Sequence, residues 1–159
     1  ITQRDKWFVD EGGYNHIQGT KPQTLAYGLN DSPVGLAAWI VEKYRTWSDC
    51  GGDVEKSYTK DGLLTIVTIY WVTQTISSST RMYFENQKNL WVMHKDEKVP
   101  APAGMAMFPQ EISKPPREWG ERSYDVRRWT EMTKGGHFAA LEEPQLLAEE
   151  VRAFFREFR

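Results

Sequence analysis

The spacing of apolar residues predicts short helices in the first part of the chain. Ser32 is a good N-cap and Pro33 suits the first helical position, so we predict a helix that runs to about residue 47. One of its faces is mostly apolar and carries Leu36, Ile40, Lys43, Tyr44 and Trp47. A shorter helix is predicted after Pro22, because Leu25 and Leu29 lie one turn apart.

The pair Gly51-Gly52 breaks this pattern, and apolar residues recur at helical spacing afterwards. Thr59 is placed to cap a third helix, whose apolar stripe consists of Leu63, Val67, Tyr70 and Trp71. We expect the run of serine and threonine at 77–80 to interrupt it and a fourth helix to cover residues 82–87. Short helices with aromatic inner faces are typical of a cap folded over a pocket, and equally of an ordinary small bundle.

The pattern changes between residues 89 and 102, after which strands and helices alternate. Small apolar residues at 99–108, with flanking prolines, predict a short buried strand after Pro102. Residues 117–120 predict a brief helix, and residues 127–132 a second strand. Gly135-Gly136 then gives a tight turn. This order matches the closing units of a parallel α/β sheet.

The last helix has the strongest pattern. Glu142 and Glu143 favour its positive N-terminus, and Pro144 fits its first turn. The helical spacing predicts one buried apolar face made of Leu147, Val151, Phe154, Phe155 and Phe158.

Composition fits a globular segment of an α/β protein. The 159 residues are 40% hydrophobic with a formal net charge of -2, which gives no reason to expect nucleic acid or an anionic membrane surface as a partner. Cys50 is the single cysteine, so an internal disulfide and a cysteine-rich zinc site are excluded, and a reducing compartment such as the cytoplasm is favoured. The apolar tract at 62–76 contains four threonines and is shorter than the roughly 20 residues of a membrane-spanning helix. We therefore expect no membrane segment in this chain.

His137 is the most informative candidate for chemistry. It follows two glycines at the end of a predicted strand, where catalytic groups of parallel sheets collect. Its ordinary pKa near neutrality suits a general base, although a loop histidine there can also be purely structural. The three histidines lack the spacing of a helical metal site, so neither a metal nor a cofactor is expected.

Glu111 follows the first predicted strand and should emerge at the same edge of the sheet as His137. A carboxylate there can accept the Nδ1 proton of the imidazole and fix its tautomer. Glu131 and Asp125 lie within and before the second strand instead of after a strand, and we interpret them as surface charges.

Four segments carry a resemblance to a known family: residues 14–24 (YNHIQGTKPQT), 30–40 (NDSPVGLAAWI), 81–86 (RMYFEN) and 135–144 (GGHFAALEEP). Together, in this order, they resemble the microsomal-type epoxide hydrolases of the α/β-hydrolase superfamily. The resemblance covers most of the chain and is carried by the four segments jointly, since Gly-Gly-His alone is a weak motif. It implies the C-terminal part of an α/β-hydrolase fold.

The resemblance also implies roles for individual residues. His137 matches the general base, Glu111 its supporting carboxylate, and Tyr14 and Tyr83 the two lid tyrosines that hold the epoxide oxygen. Phenolic O–H groups suit that role because they donate strongly and stay protonated at neutral pH. His16 lies near Tyr14 and is expected to line the pocket or to support that tyrosine.

One part of the family's machinery is missing from the sequence. The aspartate elbow G-x-D-x-G and the H-G-x-P segment do not occur. Asp53 lies in the predicted cap without the final glycine of the motif, and Asp61 begins a predicted helix with no strand before it, so neither fits the nucleophile. In the resembling enzymes both motifs precede the lid. The chain also begins with Ile1 instead of methionine, so we expect an upstream half, on the same gene product or as a separate chain.

These interpretations predict three regions: a leading helix at 1–13, a helical lid at 14–95 and the closing strands and helices of the core at 96–159. The expected activity is hydrolysis of a hydrophobic epoxide to a vicinal diol through an aspartyl ester, in the setting of detoxification or aromatic hydrocarbon breakdown. The alternatives are a haloalkane dehalogenase, an esterase, or a non-catalytic lid and dimerisation module. A homodimer is compatible with all of them.

Overall fold

The computed structural model describes residues 3–90, 92–94 and 97–159. These residues form two compact units. The first contains the described residues of Ile1–Val41 and Asp61–Trp91, and the second contains those of Glu42–Lys60 and Val92–Arg159.

The first unit is helical. Its elements are α1 (Gln3–Glu11), α2 (Gly13–Thr20), α3 (Pro22–Asp31), the first part of α4 (Pro33–Trp47), α5 (Lys60–Thr73) and α6 (Ile76–Lys88). The buried centre is formed by Leu29, Leu36, Val67 and Ile76. Leu36 is fully buried, and burying a leucine side chain contributes about 1.5–3 kcal/mol.

Two predicted helix starts are confirmed. α3 begins at Pro22 and α4 at Pro33. Ser32 Oγ accepts a hydrogen bond from Gly35 N at 3.1 Å, which is the N-cap contact expected before Pro33. α5 begins at Lys60, directly after Thr59, and buries Leu63 and Val67 of the predicted stripe.

The predicted interruption at residues 77–80 is wrong, because α6 runs through it from Ile76 to Lys88. The chain turns earlier, at Gln74, whose φ is 54°. Within α6 the hydroxyls bond to carbonyls of the preceding turn, as Ser78 Oγ does to Thr75 O at 2.9 Å and Thr80 Oγ1 to Ser77 O at 3.0 Å. Polar side chains satisfied in this way are tolerated inside a helix.

The second unit contains a parallel pair of strands, β1 (Val99–Met107) and β2 (Tyr124–Glu131). α7 (Arg117–Ser123) connects them, and α8 (Ala139–Glu142) and α9 (Pro144–Phe155) follow. The register pairs Met105 with Trp129 and Met107 with Glu131. The predicted order of strand, helix, strand, Gly-Gly-His and helix is confirmed.

Two details of the last helices differ from the prediction. Glu142 ends the separate helix α8 instead of opening the final one, which begins at Pro144. The predicted buried face of α9 is only partly covered, since Val151 and Phe155 are exposed by 46% and 54%. The physical reason is that a pair of strands is too narrow to cover the whole apolar face of the helix. Phe154 does pack on β1, since a Cβ atom placed on Gly104 would lie 2.8 Å from the Phe154 ring.

The predicted region boundaries differ from the observed units at one point. Residues 42–60, predicted to be part of the lid, pack in the second unit. The reason is that the loop that carries His137 bonds to them: Gly135 N donates to Asp49 Oδ2 and His137 N donates to Trp47 O. The described residues do not include residues 1 and 2 or the boundary predicted between 95 and 96. The assignment of the helices to a lid stays a prediction.

Within the described part of the chain, none of the helices combines the length and apolar character that crossing a bilayer requires.

Candidate active site

His137 lies in the loop that follows β2, and its ring is held by Glu111. The Nδ1 atom of His137 is 2.7 Å from Oε1 of Glu111. The same Oε1 accepts a hydrogen bond from Ile112 N at 2.7 Å. A carboxylate that accepts at Nδ1 places the proton of the neutral ring there, which leaves Nε2 as the basic atom.

Two loops at the ends of the strands bring these residues together. Gln110 after β1 pairs with Gly136 after β2, and Gln110 N donates to Gly135 O at 3.1 Å. Gly135 has a φ of 103°, which a residue with a side chain rarely adopts. The predicted placement of His137 and Glu111 at one edge of the sheet therefore agrees with the geometry.

Aromatic rings surround the His137 loop. The ring of Trp47 meets the imidazole edge-on with centroids 5.3 Å apart, and the ring of Phe138 does so at 5.2 Å. Tyr44 stacks on Phe138 at 4.0 Å. These contacts restrict the rotation of the imidazole and give it a partly apolar surrounding.

The two other carboxylates considered in the sequence have different partners. Asp125 forms an ion pair with Arg127 at 2.9 Å. Glu131 accepts a hydrogen bond from Trp129 Nε1 at 2.8 Å. Their contacts agree with the interpretation that neither orients His137.

Tyr14 and Tyr83 come together in the first unit, on α2 and α6. Their ring centroids are 5.8 Å apart and the rings are nearly perpendicular, at 84°. α2 and α6 are also joined by Gln87 Nε2, which donates to Asn15 Oδ1 at 3.3 Å. An open groove of about 470 Å³ borders Tyr83, with Asn15, Ser79, Met82, Asn86, Gln87 and Leu90 as its other lining residues.

Both phenols are weaker acids than ordinary tyrosine. Burial raises the pKa of Tyr14 above its usual value, and the neighbouring Tyr83 adds to the increase, while a hydrogen bond with Asn15 opposes it. Burial likewise raises the pKa of Tyr83, against an opposing hydrogen bond with Gln18. The pair therefore remains protonated at neutral pH and can donate hydrogen bonds to an oxyanion.

The structure gives His16 no evident part in this arrangement. It lies two residues after Tyr14 in α2, and that spacing places the two side chains on nearly opposite sides of a helix. Its side chain is exposed. The supporting role assigned to His16 stays a prediction.

Sequence reasoning missed several residues that contact these groups. Gln18 is a buried polar residue that hydrogen-bonds with Tyr83. Asp49 and Glu142 bond to the backbone of the His137 loop. Gln18 stands inside the segment 14–24, which could have signalled it, whereas nothing in the sequence indicates that Asp49 lies beside residue 135.

Among the described residues, no three histidine, cysteine or carboxylate side chains are grouped so as to hold a metal ion.

No family model matches the chain. Among curated proteins, it is 43% identical over 160 residues to a putative epoxide hydrolase of Stigmatella aurantiaca, covering 100% of this chain and 36% of that protein. It is 46% identical over 153 residues to epoxide hydrolase 1 of Sus scrofa, covering 91% and 34%.

Solved structures give the same relationship. Juvenile hormone epoxide hydrolase of the silkworm Bombyx mori matches with a TM-score of 0.84 at 32% identity, covering 99% of this chain and 39% of that one. The epoxide hydrolase of Aspergillus niger matches with a TM-score of 0.77 at 30% identity, covering 97% and 38%. The chain therefore spans little more than a third of the length of these relatives.

Proposed function

We propose that this chain, which is related over its length to epoxide hydrolases of the α/β-hydrolase fold, supplies the base and the oxyanion donors of such an enzyme. The observation that carries the proposal is the 2.7 Å contact between His137 Nδ1 and Glu111 Oε1 at the carboxyl ends of two parallel strands. His137 acts as the general base, Glu111 orients it, and Tyr14 and Tyr83 donate to the epoxide oxygen.

The first chemical step is ring opening. A carboxylate oxygen attacks one epoxide carbon, the bond from that carbon to the ring oxygen breaks, and an alkyl ester forms. The ring oxygen gains negative charge and takes a proton from the hydroxyl of Tyr14 or Tyr83, so donors aimed at it lower the barrier. Tyr14 and Tyr83 are suited to this step, because burial keeps both hydroxyls protonated.

The second step is hydrolysis of the ester. Nε2 of His137 removes a proton from water as the oxygen attacks the ester carbonyl carbon. The bond between the carbonyl carbon and the diol oxygen then breaks, and the imidazolium returns the proton to that oxygen. The carboxylic acid left by this cleavage gives up its proton, which replaces the proton that the tyrosine hydroxyl lost in ring opening, so the carboxylate and the phenol are both regenerated. Glu111 stabilises the imidazolium during this step, as the third member of a hydrolytic triad does.

The attacking carboxylate comes from outside this chain in our proposal. Asp53 accepts a hydrogen bond from Glu55 N at 3.2 Å and opens a short 3₁₀ turn. Asp61 lies in the first turn of α5. Neither residue follows a strand, which is where the elbow of an α/β-hydrolase stands.

An upstream half of the enzyme would also complete the second unit. The parallel pair β1 and β2 is narrow for an α/β sheet, and exposed strand edges need partners. The exposed apolar side chains Val151, Phe155 and Phe158 need cover as well. We therefore propose that the nucleophile-bearing half is the partner of this chain.

The proposed substrate is a hydrophobic epoxide. Two relatives from Ctenocephalides felis, 40% and 37% identical to the chain, are named juvenile hormone epoxide hydrolases. The groove beside Tyr83 combines Met82 and Leu90 with amide side chains, which fits a mostly apolar molecule that carries an oxygen.

A single-turnover experiment tests the proposal. The complete protein, in excess over styrene oxide, is allowed to react in water labelled with oxygen-18, and the diol is analysed by mass spectrometry. An ester mechanism transfers a carboxylate oxygen to the diol, so the diol of the first turnover should be unlabelled. Labelled diol would indicate direct attack by water, and absence of diol would contradict the proposed activity.

A further inference from the structure

We propose that Asp49 and Glu142 are positioning residues that fix the backbone of the His137 loop. Together with Trp47 they form what we call the clasp, defined as residues 47–49 and Glu142. The inference rests on the proposed role of His137 as the base. The clasp decides which way the imidazole faces by holding the backbone on both sides of residue 137.

The carboxylate of Asp49 holds the loop before His137. Gly135 N donates to Asp49 Oδ2 at 3.0 Å, although the two residues are 86 positions apart in sequence. Gly135 is buried, so its N–H has lost contact with water and depends on this acceptor. Because Gly135 carries the unusual φ of the turn, fixing its amide fixes the direction in which the chain enters residue 137.

Glu142 holds the loop after His137 and also holds Asp49. Its Oε1 accepts from Phe138 N at 3.0 Å, and its Oε2 accepts from Asp49 N at 2.7 Å. One carboxylate therefore joins the start of α8 to the segment that follows α4. Hydrogen bonds from N–H groups to a charged acceptor are shorter and stronger than neutral ones.

The backbone of His137 is itself part of the contact. His137 N donates to Trp47 O at 2.9 Å. Gly136 permits this approach, because a Cβ atom there would lie 2.6 Å from Trp47 O and 3.1 Å from Asp49 N. The amides of residues 135, 137 and 138 all donate to the clasp.

The hydrogen bond between the imidazole and Glu111 depends on the clasp. Glu111 can fix the tautomer of His137 only while the Cα–Cβ bond of residue 137 keeps its direction. A small displacement of a catalytic group can cost about a hundredfold in rate. Loss of the clasp should therefore loosen the bond between Nδ1 and Glu111 without removing either residue.

Nitrogen-15 NMR of histidine-labelled complete protein tests this without reference to activity. The ring signals of His137 are assigned by their loss in His137→Gln. In the wild type we expect the neutral ring of His137 to be protonated at Nδ1 and unprotonated at Nε2. In Asp49→Ala and Glu142→Ala we expect nitrogen-15 chemical shifts that are averaged between the two tautomers. Asp49→Asn keeps an oxygen acceptor and should restore the wild-type pattern. Asp53→Ala, which removes a carboxylate that caps only a local turn, is the matched control.

Rapid-quench kinetics with styrene oxide give the second measurement. Asp49→Ala and Glu142→Ala should slow ester hydrolysis by about ten- to a hundredfold, leave ester formation unchanged, and shift the pH profile of hydrolysis. A purely structural role would lower both steps together. If the alanine variants do not fold, Asp49→Gln, which displaces the acceptor by one methylene, replaces them.

The outcomes separate the clasp from the proposed function. Unchanged ring signals in folded Asp49→Ala and Glu142→Ala would overturn the clasp, whatever the enzyme does. A wild type that forms no ester while these variants scramble the tautomer would refute the proposed function and leave the clasp intact. The clasp would also be overturned if the ring signals of His137 changed as much in the Asp53→Ala control as in Asp49→Ala.

Discussion

The Nδ1 atom of His137 and the Oε1 atom of Glu111 lie 2.7 Å apart, although 26 positions separate the two residues in sequence. Parallel pairing of β1 and β2 produces this contact, because it brings the loops after both strands to the same edge. In the proposed mechanism His137 serves the hydrolysis of the ester and has no direct part in its formation.

Replacing His137 with glutamine should trap the ester. General-base catalysis contributes about 10²–10⁴-fold, so we expect hydrolysis to slow by that factor while ring opening continues. Intact-mass spectrometry of the complete protein after incubation with styrene oxide should show a stable increase of one substrate mass. His94→Gln, which changes an exposed histidine, is the control, and turnover by His137→Gln at the wild-type rate would contradict the assignment.

Replacing Glu111 with glutamine should slow hydrolysis of the ester more than its formation. The neutral amide no longer stabilises the imidazolium and can hold the wrong tautomer. We expect a loss of about a hundredfold or more in the hydrolysis rate, measured by rapid quench. Glu131→Gln provides the comparison, since that carboxylate bonds to Trp129 instead. Equal losses in both steps would count against an orienting role for Glu111.

Removing the hydroxyl of Tyr14 or of Tyr83 should slow ring opening. Loss of one oxyanion donor costs about 10²–10³-fold in other enzymes, and we expect an effect of this order in Tyr14→Phe and Tyr83→Phe, with ester hydrolysis little changed. Tyr27→Phe is a matched control, because its hydroxyl accepts a bond from Gln23 on the exposed side of α3. Rates of ester formation like those of the wild type in both variants would rule out the donor assignment.

The raised pKa values of Tyr14 and Tyr83 predict the behaviour of the protein in alkali. Unfolded tyrosine titrates near pH 10, so the stability that burial of the neutral phenols provides is complete below that pH. It is lost as the pH rises towards the folded pKa values. Ring opening should decline only above the pH at which ordinary tyrosine ionises, because a phenolate cannot donate to the epoxide oxygen. Ultraviolet difference titration of wild type against each phenylalanine variant checks this, and titration of either phenol at or below pH 10 would contradict it.

Two glycines should respond to alanine in opposite ways. Gly136→Ala places a Cβ atom 2.6 Å from Trp47 O, and overpacking of this kind costs about 1–3 kcal/mol. Gly28 lies inside α3, and a Cβ atom there would meet nothing within 4 Å beyond its chain neighbours and the backbone of its own helix. Gly28→Ala should therefore stabilise by about 0.5–1 kcal/mol. Urea unfolding of the complete protein gives both values, and a stabilising Gly136→Ala would mean that the loop does not approach Trp47 as described.

Local sequence patterns located most of the helices and strands, and four segments carried a likeness to epoxide hydrolases. Helical spacing and the proline and glycine signals located α3, α4, β1, β2 and α9, because these depend on local backbone preferences and on which side must be buried. The likeness of four segments to epoxide hydrolases, and the α/β-hydrolase fold that it implies, are confirmed by the similarity to curated relatives and to a solved structure. The roles of the individual site residues stay predictions.

Packing between distant segments set what surrounds those residues. Whether the serine and threonine run at 77–80 would break a helix depended on the burial of Thr80 and on carbonyls within reach of the hydroxyls. That Asp49 would meet Gly135, or Gln18 meet Tyr83, depended on how distant segments pack. Periodicity records which face of an element is buried, whereas a hydrogen bond between segments depends on where the packed backbone places donor and acceptor. The clasp around His137 therefore became visible only in three dimensions.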